Sequence, residues 1–201
     1  MLLRFICLII LISGPTACID LKPRPDTTKL YALGLSDPVQ NSPTSASTAH
    51  GYIARPQLPV YMEGSNLKLI SGDREIVNVS GARWAESMDM GVARSMSYFI
   101  ENWNNDLKSD FYPWIRNENE AFVLQLNFNH LIATSDGRIL LGANWKYEDA
   151  TGATETGVFS NNTIEWSPGN IQSMVTGINT ALNLLAKEIV DSLKKEELTT
   201  K

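Results

Sequence analysis

The sequence predicts a fold between the α/β and α+β classes, in which a mixed, largely antiparallel sheet is covered by two long amphipathic helices. Apolar and polar residues alternate over residues 122–129 and again over 139–147, which is typical of half-buried strands. Two other stretches, 88–107 and 171–193, repeat apolar residues at steps of three and four, which is typical of amphipathic helices. Short turn signals between the later strands favour antiparallel hairpins over crossover connections.

The first half of the chain predicts short strands around a long polar segment. Its prolines exclude a central-strand position at residues 56 and 59. Residues 36–50 are rich in Pro, Ser and Thr and predict a mobile surface loop. The elements expected here are a strand at 29–35, an extended stretch at 51–55, a short helical turn at 58–62, and a hairpin of 66–70 and 75–80 across a turn at 71–74.

The first long helix is expected to begin after Ser87 or at Asp89, since either side chain can cap free N–H groups. One apolar stripe predicts its buried face, formed by Met88, Val92, Met96, Phe99, Trp103 and Leu107.

The second half of the chain carries the clearest strand pattern. Phe122, Leu124, Leu126 and Phe128 are expected on a core face, with Gln125, Asn127 and Asn129 on a polar face. Turns at 135–137 and 149–152 separate this strand from strands at 139–147 and 154–160. A break is expected at residues 161–162, followed by a helix over about 169–197 that presents one apolar face.

The N-terminus has the layout of an export signal. The positive charge of Arg4 precedes an apolar run at 5–12 and small residues at 13–17, and the run is too short to span a membrane. Cys18 stands where a lipoprotein signal places the cysteine that receives diacylglycerol. We therefore expect a signal peptide at 1–17, lipidation of Cys18 and a lipidated tether at 18–28. A secreted protein with a free Cys18 is the alternative.

The composition of the mature chain limits its disulfides, its number of domains and its binding partners. Cys7 lies inside the signal, so the mature chain has no cysteine pair for a disulfide and depends on its core for stability. The residues from 29 to 201 suit one domain of the 201-residue chain. A formal net charge of -5, without a block of basic residues before the last helix, argues against binding nucleic acid or anionic lipid headgroups.

Catalytic chemistry is hard to find in this sequence. His50 ends the polar loop, and His130 is expected on the core side of its strand, where a hydrogen-bonded structural role is the ordinary one. The mature chain offers no thiol, no zinc-ligand spacing, no Gly-x-Ser-x-Gly elbow and no phosphate-binding loop. We expect no enzyme activity, no cofactor and no metal.

Short motifs spread along the chain resemble a known family. They are 58–62 before the hairpin, 83–86, 90–94 at the start of the first helix, 142–145, and 181–185 in the last helix. Read together in this order, they resemble the auxiliary lipoproteins of ABC-type lipid transporters, of the paraquat-inducible Pqi type that works with MCE proteins.

The resemblance implies a non-enzymatic component that is anchored in the outer membrane, faces the periplasm and docks with an MCE-domain tunnel protein and its inner-membrane permease. Ile19 directly after Cys18 agrees with the outer membrane, because retention in the inner membrane commonly uses Asp at that position and Asp20 lies one place later. A tunnel-binding partner leaves a homo-oligomeric ring open. Two other functions compete: an adaptor for another envelope machine, such as cell-wall synthesis or secretion, and a lipid-binding carrier.

Arg83, Trp84 and Glu86 form the candidate interface. Opposite charges flank a large aromatic residue, and Trp and Arg are the residues that most often dominate binding energy. The alternative is that Trp84 packs under the first helix while Arg83 and Glu86 bracket it, because Trp is highly buried on average.

Overall fold

One face of a mixed eight-stranded sheet carries two helices in the computed structural model, which describes residues 25–34, 49–72, 74–116 and 120–199. The predicted fold class, α+β with a largely antiparallel sheet and two long helices, is confirmed within these residues. The strands are β1 (Lys29–Tyr31), β2 (Ala49–Ile53), β3 (Asn66–Ser71), β4 (Glu75–Trp84), β5 (Leu107–Phe111), β6 (Phe122–Thr134), β7 (Arg138–Asp149) and β8 (Thr154–Glu165). The helices are α1 (Met88–Trp103) and α2 (Ile171–Thr199), and Val60–Met62 forms a 3-10 turn.

The strands β6, β7 and β8 form an antiparallel meander, as the alternation predicts. Gly137 closes the first turn with a φ of 96°, and Gly152 closes the second with a φ of 84°. A residue with a side chain rarely adopts such angles, so glycine fixes both turns.

The other edge of β6 is shared by two groups of strands. β2 pairs in parallel with the beginning of β6 and carries β5, whereas β3 pairs with its last residues and carries β4 and β1. Residues 54–57 cross the gap between the two groups. Ala54 and Gln57 donate their backbone N–H groups to carbonyls of β6 at 2.9 Å, which leaves Pro56 outside the ladder.

The core lies between this sheet and the helices. It takes the inward side chains of β6 and β7 together with the apolar stripe of each helix, and Val92, Met96, Ile139 and Leu182 are all 0% exposed. The predicted core face of β6 is confirmed.

The predicted stripe of α1 is wrong at its end, because the helix stops at Trp103 and Leu107 begins β5. The side chain of Asn104 accepts a hydrogen bond from the N–H of Asp106 at 3.1 Å, a local turn that competes with further helix. β5 itself escaped prediction. Its buried Ser109 carries a hydroxyl that bonds to Ser97 of α1 at 2.8 Å, so a polar residue fills a core-facing position.

Other expected boundaries also differ. The break predicted at Asn161 and Asn162 is wrong, because β8 continues through both residues to Glu165. The pairing of β7 with β8 shifts register at a bulge between Ile139 and Leu141, so the two strands stay paired on both sides of it. β4 reaches Trp84 instead of ending at residue 80. β1 stops at Tyr31.

Part of the predicted polar loop also needs correction, because Ala49 and His50 lie in β2. The rest of that loop, residues 36–48, lies outside the described residues, as do Leu35, the predicted signal at 1–17, Cys18 and the tether up to residue 24.

Candidate docking site

The predicted interface segment begins in the last residues of β4. Trp84 is 6% exposed and belongs to the hydrophobic core together with Met62, Leu67 and Met88. Its neighbour Arg83 lies on the opposite side of the strand and is exposed. Trp84 therefore packs in the core, which was the alternative to its interface role. Of these two residues, only Arg83 is accessible to a partner.

Glu86 lies just beyond β4 and forms an ion pair with Arg94 of α1. The guanidinium donates to both carboxylate oxygens, one of them at 2.8 Å, and also to the carbonyl of Leu33 at 2.6 Å. The two side chains are 22% and 28% exposed. Glu86 therefore ties α1 to the segment that follows β1, and its role as an interface residue stays a prediction.

One prediction about the two histidines is wrong. His130 was expected on the core side of β6, but a bulge between Phe128 and His130 turns it to the other face. There its ring lies over Gly142 of β7, where an added Cβ would come within 2.6 Å of it. His50 is an exposed residue of β2 whose carbonyl accepts the N–H of Ala121 at 2.7 Å.

Among the described residues, no three His, Cys, Asp or Glu side chains are grouped to hold a metal ion. Within that same set, neither helix combines the length and the hydropathy that a membrane crossing needs.

The outer face of the sheet, opposite the helices, holds an open groove of about 650 Å³, which we call the outer-face groove. Side-chain amides and a hydroxyl from three strands and the crossing segment line it, namely those of Gln57, Gln125, Asn127, Asn144 and Thr156. The polar face predicted for β6 is thus the floor of the groove. Such a surface offers many hydrogen-bond donors and acceptors.

Val158 adds an apolar element to the groove, since its side chain is 76% exposed on the edge strand β8. Lys146 also lines the groove and forms an ion pair with Glu148 at 2.9 Å. The groove can therefore accept a polar chain that brings one apolar side chain to Val158.

Arg55 lines the outer-face groove and contacts both α1 and the segment after β5. Its Nε lies 2.8 Å from a carboxylate oxygen of Asp89 in α1, and its guanidinium lies 5.2 Å from the centre of the Tyr112 ring. Burial raises the pKa of Asp89, but hydrogen bonds involving Ser87 and Arg55 lower it by more, so the net pKa lies below its ordinary value. Asp89 therefore stays charged and holds Arg55 in place.

A turn at residues 112–116, which we call the Trp114 turn, lies beside this arginine. Trp114 is 66% exposed and Ile115 is 90% exposed. The phenol of Tyr52 donates to the carbonyl of Trp114 at 3.0 Å, and the N–H of Trp114 donates to the carbonyl of Phe111 at 3.0 Å. Burial raises the pKa of Tyr52, so the phenol remains a donor at neutral pH.

These two surfaces were not singled out from the sequence. The signal for the Trp114 turn was a Trp and an Ile directly after Pro113, in a stretch that fits neither the helical nor the strand period. The arrangement is suited to binding, because it combines a hydrogen-bonding groove with large apolar side chains held on an ordered backbone.

Comparison with known proteins gives the following matches. The model of the ABC-type transport auxiliary lipoprotein component family matches residues 31–190. No curated protein matches the sequence. The crystal structure of an uncharacterized protein superposes with a TM-score of 0.68 at 12% identity, covering 83% of this chain and 99% of that one. A Xanthomonas campestris protein of the DUF330 family superposes with a TM-score of 0.60 at 13% identity, covering 87% of this chain and 100% of that one. At these identities the two structures show a shared fold.

Proposed function

Because the chain belongs to the family of ABC-type transport auxiliary lipoprotein components, we propose that it is a non-enzymatic adaptor of a Pqi-type system, in which an MCE-domain tunnel protein and its permease move lipid between membranes. In this proposal the signal at 1–17 is removed and Cys18 carries the lipid that anchors the chain in the outer membrane. The folded part, from residue 29, then faces the periplasm. The family match over residues 31–190 is the observation that carries the proposal.

The residues that resemble the Pqi type support an adaptor, because they fasten the anchored end of the chain to the helices. Arg94, which is paired with Glu86, donates to the carbonyl of Leu33, as described above. Gly91 allows close approach, since an added Cβ would lie 3.3 Å from the Cβ of Leu33. The N–H of Gly34 donates to the side chain of Asn179 in α2 at 3.0 Å. Leu33 and Gly34, which follow β1, are therefore hydrogen-bonded to both helices.

The hydrogen bonds of Leu33 and Gly34 to the helices supplement the pairing of β1. A lipid anchor on Cys18 would pull on the chain through residues 19–28, and β1 alone is only three residues long. The bonds to Leu33 and Gly34 distribute that load to α1 and α2.

The outer-face groove disfavours a carrier for another reason. Acyl chains are bound in cavities with apolar walls, because leaving amides without hydrogen-bond partners against hydrocarbon costs free energy. The groove is open to solvent, and four amide side chains and the charged side chains of Arg55 and Lys146 are among those that line it. It is better suited to a protein surface than to a lipid tail.

The test is affinity purification of the mature, lipidated chain from envelopes after mild crosslinking, with partners identified by mass spectrometry. The proposal expects an MCE-domain protein and its permease at amounts comparable to the bait. A cell-wall synthase or a secretion component in their place would move the assignment to another envelope machine. Phospholipid bound at one equivalent per chain, with no protein partner, would favour the carrier. Separation of the two membranes on a density gradient tests the outer-membrane placement.

A further inference from the structure

One edge of β8 has no paired strand in the described part of the chain, where β8 pairs with β7 alone. Residues 154–161 pair with β7 without a break, and the register shift lies beyond them. The outer backbone groups of such a strand form a row of donors and acceptors that matches another strand. The chemistry of this edge therefore selects an extended polypeptide as its occupant.

Edge strands usually carry features that prevent such pairing, namely short length, lysine, proline or a bulge. β1 is three residues long, and five-residue β5 carries Lys108 and Asp110. Residues 154–161 of β8 contain neither lysine nor proline, and their one charged side chain is Glu155. Val158 is also 76% exposed there. Of these three strands, β8 is therefore the least protected against pairing with another strand.

The turn between β7 and β8 shows which residues of β8 direct their backbone groups outward. The N–H of Asp149 bonds to the carbonyl of Ala153 at 3.0 Å. Bonded and non-bonded pairs alternate along an antiparallel ladder, so the even-numbered residues from 154 to 160 do not bond to β7. Their N–H and C=O groups point to the free edge, where all four residues are exposed.

This arrangement allows β8 to pair with β8 of a second copy. In an antiparallel pair related by a two-fold axis, even-numbered residues face even-numbered ones, so the axis passes through a residue. With the axis at Val158, that side chain faces its own copy, and Glu155 faces the uncharged Asn161. With the axis at Gly157, Glu155 would instead face Phe159. The first register places Val158 against Val158 and opposes no two like charges.

We propose that two copies of the chain pair through β8 in the register centred on Val158, as a symmetric dimer whose sheet is continuous across the axis. Residues 156, 158 and 160 then exchange backbone hydrogen bonds with residues 160, 158 and 156 of the second copy, which gives about six bonds, two for each pair. Val158 loses contact with solvent, and half-buried Phe159 is covered at Gly157 of the second copy. The two outer-face grooves come to lie side by side, because Thr156 and Val158 line each of them.

The strength of this pairing relies on the membrane anchor of the proposed function. We expect one pair of strands to bury less than the roughly 1,200 Å² at which stable interfaces begin, so free copies in dilute solution stay largely monomeric. Copies confined to one membrane have a high effective concentration, which favours a weak contact. Dimers are therefore expected on the membrane.

Cysteine crosslinking in membranes tests the pairing. The full chain, with its signal, carries either Val158→Cys or Leu30→Cys, and oxidised membranes are analysed on gels without reductant. Leu30 is a matched control, since it is 66% exposed and lies in β1 at another edge of the sheet. The chain without an added cysteine gives the background of Cys18. We expect a disulfide-linked dimer of Val158→Cys and only background for the other two, because a disulfide needs its two Cα atoms within about 7 Å.

A second crosslink tests the register. Chains with Thr156→Cys and with Ser160→Cys, carrying different tags, should form a mixed dimer when expressed together, because these positions face each other across the axis. Thr156→Cys alone should not crosslink, since the two copies of position 156 lie four residues apart along the strands, or about 13 Å. Val158→Lys added to both chains should abolish the mixed dimer by placing two like charges face to face, whereas Val158→Ile should retain it.

The possible failures are distinguishable. A membrane-bound Val158→Cys chain that gives no more dimer than Leu30→Cys would overturn the proposed pairing and leave the proposed function standing. A crosslink of position 158 to a different protein would overturn it as well, because a strand of that protein would then occupy the edge. If the chain is absent from the membrane fraction, the anchoring fails and the proposed pairing fails with it.

Discussion

Replacing Glu86 with alanine distinguishes a structural role from an interface role for this residue. In the folded protein its carboxylate receives two hydrogen bonds from Arg94, whose guanidinium also donates to the carbonyl of Leu33. Alanine removes both charge-assisted bonds and leaves the guanidinium with the carbonyl and with solvent. The substitution should therefore loosen the contact between α1 and the segment after β1.

The magnitude follows from the burial of the pair. Breaking a fully buried ion pair costs about 3–5 kcal/mol, because it leaves a charge without compensation. An exposed pair contributes about 0–1 kcal/mol. Glu86 and Arg94 are 22% and 28% exposed, so solvent compensates part of the loss and we expect about 2 kcal/mol of destabilisation. For a chain of this size that is a decrease in melting temperature of about 4–8 °C.

Thermal and urea unfolding of the mature chain in detergent, followed by circular dichroism, measures this change. Arg83→Ala is the control, because Arg83 is exposed on the same segment and its loss should change stability by less than about 0.5 kcal/mol. An unchanged free energy of unfolding of Glu86→Ala, within about 0.5 kcal/mol, would rule out this structural role. A loss of partner binding by Glu86→Ala at unchanged stability would instead support the interface role.

Three further predictions concern the anchor, the sheet and the acid response. Cys18→Ala should move the chain from the membrane fraction to the soluble periplasmic fraction with its folded part intact, and disappearance of the folded protein would contradict a role limited to anchoring. Gly157→Ala should destabilise the fold by about 1–3 kcal/mol, because an added Cβ would lie 2.4 Å from the buried indole of Trp145. Val158→Ala is the control, because this side chain is exposed and its truncation should change stability by less than about 0.5 kcal/mol. Equal effects of the two substitutions in urea unfolding would contradict this prediction. The pKa of Asp89 in the folded protein is below its ordinary value, so its stabilising charge is fully present above about pH 4 and is lost as pH falls through the folded pKa. The difference in free energy of unfolding between wild type and Asp89→Asn should therefore become smaller in acid. A difference that does not change with pH would speak against the bond to Arg55.

The sequence predicted best the elements whose pattern is set by one buried face. The alternation from Phe122 to Phe128 and the apolar steps from Met88 to Phe99 each reflect a single partner layer, so periodicity alone places them. The turns at Gly137 and Gly152 were predicted equally well, since both positions have a positive φ that favours glycine.

Prediction failed where tertiary contacts override the local pattern. Ser109 is buried because Ser97 supplies a hydroxyl partner from α1, a contact that no local pattern in β5 reveals. His130 changed faces because of a bulge, and a one-residue shift reverses every later side chain of a strand.

The candidate docking site was predicted only in part, for a related reason. The polar face of β6 follows from alternation, but the groove also needs Gln57 and Asn144 from neighbouring segments, whose register the sequence does not specify. The Trp114 turn depends on a bond from Tyr52, sixty-two residues away. Trp84, by contrast, was named in the candidate interface with packing under the first helix as the alternative, and it lies in the core.

Phospholipid transfer in cells tests the proposal that the anchored chain supports lipid movement between the two membranes. Isotope-labelled phospholipid would be followed from each membrane to the other in cells that lack the chain, that carry wild type, or that carry Cys18→Ala. We predict slower transfer in at least one direction without the chain, recovery with wild type, and no recovery with the unanchored variant at equal protein level. Transfer that is the same in all three strains, in both directions, would rule out the proposed function.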